Sequence, residues 1–182
     1  MAKTKTPEEI LEEARKLIGR ETKPVKAKYP VEYEAIRRWC HMADNANPLF
    51  LTPEYANKTK YGGVICPPGA IQLVARRTWP QEQEEESLPT IPKPEGMDVP
   101  FAMGHEWEFI KPVKVGEQLW YKRRIANVEM KAMRYDPHTF WTTNEQIFMN
   151  EAGEVVCIFR SWGLAYRRVD ALRKAGITDY PK

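Results

Sequence analysis

Cysteine and histidine are both scarce, with three of each in 182 residues. Cys40, Cys66 and Cys157 are odd in number, far apart and without the short spacing of zinc ligands. A disulfide framework and a metal site are therefore not expected, and the three read as reduced, buried thiols. A run of about 18 apolar residues is missing, so no membrane-spanning helix is expected. An excess of one charge is missing as well. The 28 Lys and Arg against 25 Asp and Glu leave +3, mixed along the chain and not gathered into a basic block or a basic amphipathic helix. Neither nucleic acid nor a membrane surface is an expected partner. The opening MAKTKTPEEILEEARKLIGRE is too charged for a secretory signal, and the expected location is cytoplasmic. There is no internal repeat, and the length suits one domain burying roughly two-thirds of its unfolded surface.

What is present changes character halfway along. Thr6 followed by Pro7, Glu8 and Glu9 is a helix start: a capping hydroxyl, a preset first turn, and acids at the positive end of the helix dipole. Ile10, Leu11, Ala14, Leu17 and Ile18 carry the helical spacing to about Arg20. A second helix is predicted from Val31 to about Met42, with Ala35, Ile36, Trp39 and Cys40 as its apolar stripe. A short turn follows at Pro53–Lys58, and after Pro67-Pro68 the run GAIQLVARRTW predicts a more apolar, buried helix. Residues 80–100 hold an acidic run and five prolines without apolar periodicity, and read as a solvated surface excursion.

Beyond that point EWEFIKPVKVG, EQLWYKRRIANVEM, TFWTTNEQIFMN and EVVCIFRSWGLAYRRV are rich in aromatic and β-branched residues and predict long strands. Asn150-Glu151-Ala152-Gly153 supplies a hairpin turn. Helices first and an antiparallel sheet afterwards make an α+β domain, with the sheet curved around the helix that starts near Gly69.

The run HMADNANPLFLTPEYANKTKYGGVICPPG, with GHEWEFIKPVKVGEQLWYKRRI and NEAGEVV, resembles the hot-dog fold of the MaoC-like enoyl-CoA hydratases and (3R)-hydroxyacyl dehydratases. Within that group it resembles the FAS1-like dehydratase branch. The resemblance covers residues 22–168, leaving 1–21 as a helical extension and 169–182 as a tail. It implies water addition or removal across the α,β double bond of an acyl thioester on coenzyme A or an acyl carrier protein. Neither a metal nor any other cofactor is implied. Such chemistry wants a carboxylate and an imidazole sharing one water, and backbone N–H donors aimed at the thioester oxygen.

The family pattern has an Asp three residues before the Asn-Pro proline and a His two after it. Those places hold Asn45 and Phe50. Neither transfers protons, and losing such groups costs about 10²- to 10⁴-fold in rate. The resemblance then implies a heteromer, a heterodimer or a dimer of heterodimers, in which a MaoC-like catalytic subunit supplies the dyad and this chain shapes the acyl-binding tunnel. A homodimer is the other arrangement, because a lone sheet leaves a long unpaired edge.

Two further readings of the loop stay open. Asp44 and His41, three residues apart, form a displaced catalytic pair if the helix continues; otherwise Asp44 ends the helix and His41 is a surface residue. Asn45, Asn47, Phe50, Gly62, Gly63, Cys66, Gly69 and His105 are the candidate substrate-binding residues. Val64, Ile65, Cys66 and Gly69 offer the backbone donors near the apolar helix, since Pro67 and Pro68 have none. Lys122, Arg123, Arg124, Arg167 and Arg168 either meet coenzyme A phosphates or are simply solvated. The rival functions are a non-enzymatic acyl-thioester scaffold and, last, a thioesterase, which usually wants a carboxylate that the stretch Gly62–Trp79 lacks.

Overall fold

The expected capping hydroxyl of Thr6 is in place, and Glu9 completes it into a reciprocal capping box. The Thr6 hydroxyl accepts the Glu9 N–H at 3.2 Å while the Glu9 carboxylate accepts the Thr6 N–H at 2.8 Å. This starts α1, Pro7–Arg15, in a computed structural model that describes residues 5–75, 86–134 and 136–178. Leu11 and Ala14 are buried, and the helix is part of the same packing as the sheet.

A two-residue strand β1, Val25–Lys26, precedes α2, Tyr33–Met42, which buries Ile36 and Cys40 one turn apart. Two single turns follow, α3 at Pro48–Leu51 and α4 at Pro53–Ala56. The predicted long helix after Pro67 is shorter over the described residues: a 3-10 turn at Pro68–Ala70 and α5 at Ile71–Val74, closing at Ala75. The remainder of that prediction lies outside the described residues. Ala70, Ile71 and Ala75 are nonetheless buried against Tyr121, Phe148, Val156 and Cys157 of the sheet.

The sheet is antiparallel in the order β1-β3-β4-β5-β2, with β2 at Val99–Phe109, β3 at Trp120–Lys131, β4 at Thr139–Met149 and β5 at Val155–Tyr166. Helix α6, Val169–Lys174, follows and buries Leu172. Strands β3, β4 and β5 match their predictions closely. The first strand does not: it was expected over 106–116 and runs instead through 99–109. Pro100, Ala102 and Gly104 disguise it, and they are tolerated because β2 is an edge, where a missing N–H and small side chains cost little. A Cβ on Gly104 would sit 3.0 Å from the Trp162 ring, so a larger residue there would need the ring on β5 to shift by a few tenths of an ångström.

Segment 86–98 also departs from expectation. It is irregular, as predicted, but Met97 is buried and Leu88 and Ile91 pack on the same cluster as α1. The apolar residues spaced among its prolines hold it down. Residues 80–85 fall outside the described residues, and 99–100 open β2 instead of belonging to a loop.

Register defines the inner face of the sheet. Tyr121, Phe148 and Cys157 align in one row and join the cluster around α2 and α5; Met130, Phe140 and Ala165 align at the far end and join the cluster around α1. Between these apolar ends lie Arg123–Gln146–Phe159–Trp107, then Ile125–Asn144–Ser161–His105, then Val128–Thr142–Gly163–Ala102.

Candidate functional site

The loop after α2 is built by side-chain oxygens that order the backbone. Helix α2 ends where Asp44 takes a left-handed conformation, φ 48. The Asn45 N–H reaches the Cys40 carbonyl at 2.8 Å and the Asp44 N–H reaches that of His41 at 3.4 Å, the paired bonds of a Schellman ending. Asn45 Oδ1 then accepts the Asn47 N–H at 3.1 Å, and Asn47 Oδ1 accepts the Leu49 N–H at 3.0 Å. Pro48 sets the first turn of α3, which carries Phe50 into the core beside Ile36 and Cys40.

His41 and Asp44 are both exposed at the end of α2. No side-chain hydrogen bond or ion pair links them to each other or to any described residue. Asn45 is a turn-former whose oxygen is engaged, and Phe50 is apolar packing.

The following segment closes through Gly62, left-handed at φ 62. Val64, Ile65 and Cys66 then run beside 113–115: the Cys66 N–H donates to the Val113 carbonyl at 2.7 Å and the Val115 N–H to that of Val64 at 3.1 Å. Cys66 is therefore not an available donor. Among the described residues the uncommitted N–H groups of this segment belong to Val64, Ile65 and Gly69. With α5 a single turn, these individual donors, and not a helix dipole, are what the segment offers. Gly69 is required by packing, since a Cβ there would lie 2.7 Å from the Trp39 ring.

Burial in this cluster pushes the Cys66 and Cys157 thiols up to about 12 and raises Cys40 as well. None is a nucleophile at neutral pH. No group of three or more His, Cys, Asp and Glu among the described residues is placed to hold a metal ion, and no described helix is long and apolar enough to cross a membrane.

His105 sits on the inner face, its ring 5.6 Å from that of Phe159, which in turn lies 4.5 Å from Trp107. It borders a region where the inner face opens. A cavity of about 430 Å³ lies between Leu88–Ile91 and the sheet, floored by Thr142, Asn144, Gln146 and Ser161. A second, of about 570 Å³, shares Thr142, Asn144 and Ser161 and continues past His105 to Phe101 and Met103 on β2. Together they make a crevice from beneath segment 88–93 to the open edge of the sheet.

Sequence reasoning missed this polar floor. Its only signal was the alternation Thr142, Asn144, Gln146 between Phe140 and Phe148. The loop residues 41–69 do not line either cavity.

The basic candidates are largely occupied. On the outer face Glu145 accepts from Arg124 Nε at 2.8 Å and from Arg160 Nε at 2.7 Å. Arg160 also reaches Glu106 and Glu108, and Lys122 pairs with Glu21 at 2.6 Å. Burial alone would raise the Glu145 carboxyl, but the two guanidiniums outweigh it and leave it lowered. Arg167 is buried against Asp136, donating to its two oxygens at 2.9 and 2.7 Å, and lies 3.3 Å from His138 Nδ1.

Comparison with known proteins gives the same picture. The family model described as FAS1-like, dehydratase domain region, matches residues 16–159, whereas no curated protein matches the chain. Among solved structures, a chain of the ChsH1-ChsH2 complex from Mycobacterium tuberculosis superposes with a TM-score of 0.70 at 16% identity, covering 90% of this chain and 98% of that one. The MaoC-like dehydratase from Rhodospirillum rubrum gives 0.58 at 18% identity, over 83% and 93% of the two chains. The HadBC (3R-hydroxyacyl-ACP dehydratase) complex from Mycobacterium tuberculosis gives 0.57 at 18% identity, over 81% and 96%.

Proposed function

Because the chain belongs to the FAS1-like dehydratase domain family and has a hot-dog fold, we propose that it is the acyl-thioester-binding subunit of an enoyl-CoA hydratase or (3R)-hydroxyacyl-thioester dehydratase. A second hot-dog chain supplies the proton-transfer groups. The observation that carries this reading is the state of the active-site loop: Phe50 is buried in the core and the Asn45 amide oxygen is tied to the Asn47 N–H. At the two positions where the family pattern has Asp and His, this loop holds Asn45 and Phe50. The chain works without metal or redox cofactor and in the cytoplasm, where three buried thiols stay reduced.

The edge supports a partner. Strand β2 is eleven residues long with one side unpaired, and Phe101, Met103 and Phe109 on it are 59%, 41% and 44% exposed. An edge that long and apolar is ordinarily covered, and the crevice opens onto it. Two of the structural neighbours are described as complexes of ChsH1 with ChsH2 and as HadBC.

A mixing assay tests the reading. Enoyl-CoA hydration should be near background for this chain alone and should rise by at least about 10²-fold with a MaoC-like partner bearing an intact Asp and His. Full activity of the chain alone would end the proposal, and its loss in Asp44→Asn would then assign catalysis to the Asp44 and His41 pair.

A further inference from the structure

The middle of the inner face is polar where both ends are apolar. Thr142, Asn144 and Gln146 on β4 and Ser161 on β5 occupy neighbouring register positions there. All four are half-buried. None has a side-chain hydrogen bond to any described residue, although other polar groups on the same strands are bonded. Buried polar groups are almost always satisfied, by protein, water or ligand. These four are half-buried, face one crevice and lack a protein partner, so water or a ligand completes them.

The chemistry of such a ligand follows from the donor set. The two carboxamides and two hydroxyls of the floor offer both donors and acceptors, and Lys93 and Arg123, with Glu145, also line the crevice, so that cationic donors border an uncharged floor. The crevice volumes of about 430 and 570 Å³ suit a small-molecule group. Phe159 and Trp107 at one border, and Ile125 and Ile91 nearby, provide apolar walls. A plain alkyl chain lying on this floor would strip water from four polar side chains and return no hydrogen bond.

Resting on the acyl-thioester reading above, we propose that the acyl group this subunit receives carries hydroxyl or carbonyl oxygens along its length. Asn144 and Gln146 bond those oxygens, with Thr142 and Ser161 flanking, and the site selects against saturated alkyl chains. The amides of a pantetheine arm have similar chemistry, so the test separates the two.

The full chain, together with its hot-dog partner where one co-purifies, is titrated with three probes. They are dodecanoyl-CoA, a chain-matched acyl-CoA with keto and hydroxyl oxygens in its distal half, and coenzyme A alone. Affinity is read by calorimetry, and occupancy by the side-chain NH₂ signals of Asn144 and Gln146. The oxygenated probe should bind at least about tenfold tighter, roughly the effect of one retained hydrogen bond. It should also shift both NH₂ signals, and coenzyme A should not.

The double variant Asn144→Leu, Gln146→Leu should equalise the two acyl probes. Thr142→Val with Ser161→Ala is the milder pair should the first not fold. Equal or tighter binding of dodecanoyl-CoA overturns this inference alone. Equal NH₂ shifts with coenzyme A also overturn it, giving the strip to the carrier arm. Binding of neither acyl probe overturns the acyl-thioester reading and this inference with it.

Discussion

Asn144, Glu145 and Gln146 are consecutive on one strand, yet the two faces they point to differ in kind. Outward, Glu145 is 6% exposed and bonded by Arg124 and Arg160, and Arg160 also reaches Glu106 and Glu108. Inward, Asn144 and Gln146 meet no described partner. Backbone and register are shared, but burial is not: Glu145 is buried, whereas Asn144 and Gln146 are half-buried and open to the crevice. The outward carboxylate is held by the chain's own arginines, whereas the two inward amides are left to water or a ligand. The turn at 45–49 shows the complementary case, in which the amide oxygens of Asn45 and Asn47 are bonded to the backbone.

The contrast makes stability measurements informative. Where polar groups are saturated, removing one partner should be costly. Asp136, fully buried at 0% exposure, accepts from Arg167 and from the N–H groups of Arg167 and His138. Arg167→Met should destabilise by about 3–5 kcal/mol in urea unfolding, the cost of stranding a buried charge. A loss under about 1 kcal/mol would show that water reaches the pair.

The same pair has a pH signature. Burial raises the Asp136 carboxyl, but Arg167 and two backbone N–H groups prevail and lower it overall. A lowered carboxyl contributes stability that is complete above its unfolded value, about 3.9, and is lost as pH falls through the native value. The stability gap between the native chain and Asp136→Asn should therefore hold at pH 5–7 and narrow below about pH 4. A gap that widens in acid would reverse the assignment.

Glu145→Gln, which keeps shape but removes the charge between Arg124 and Arg160, should cost about 2 kcal/mol. On the inner face, Asn144→Leu with Gln146→Leu should change stability by less than about 1 kcal/mol or raise it, since no protein hydrogen bond is removed. A loss comparable to that of Glu145→Gln would mean the strip is structural and would erase the contrast.

Much of this architecture was legible in the residues themselves. Thr6, Pro7 and Glu9 declare their helix, the period of Ile36, Trp39 and Cys40 declares the second, and Asn150 with Gly153 declares the hairpin. There Asn150 Oδ1 accepts the Glu154 N–H at 2.9 Å and Gly153 is left-handed at φ 76. Strand β2 was hidden because an edge accepts proline and glycine that a central strand does not. Segment 86–98 concealed its packing because Leu88, Ile91 and Met97 follow no period.

The polar floor was unreadable for a different reason. Thr139–Met149 has polar residues on both faces, Thr143 and Glu145 on one and Thr142, Asn144 and Gln146 on the other. Alternation alone does not say which face is inside; only the pairing of Phe140 and Phe148 with their clusters does. Asn45 and Phe50 were legible as replacements, whereas the commitment of the Cys66 N–H to Val113 depended on a crossing about 50 residues away in sequence.

The most direct test of the whole reading measures binding and turnover on one sample of the chain by itself. A medium-chain enoyl-CoA should bind measurably by calorimetry while its hydration, followed by loss of the enoyl absorbance, stays within about tenfold of the buffer rate. Turnover at the pace of a self-sufficient hydratase would contradict the account, because it would require a proton-transfer pair that Asn45 and Phe50 do not provide.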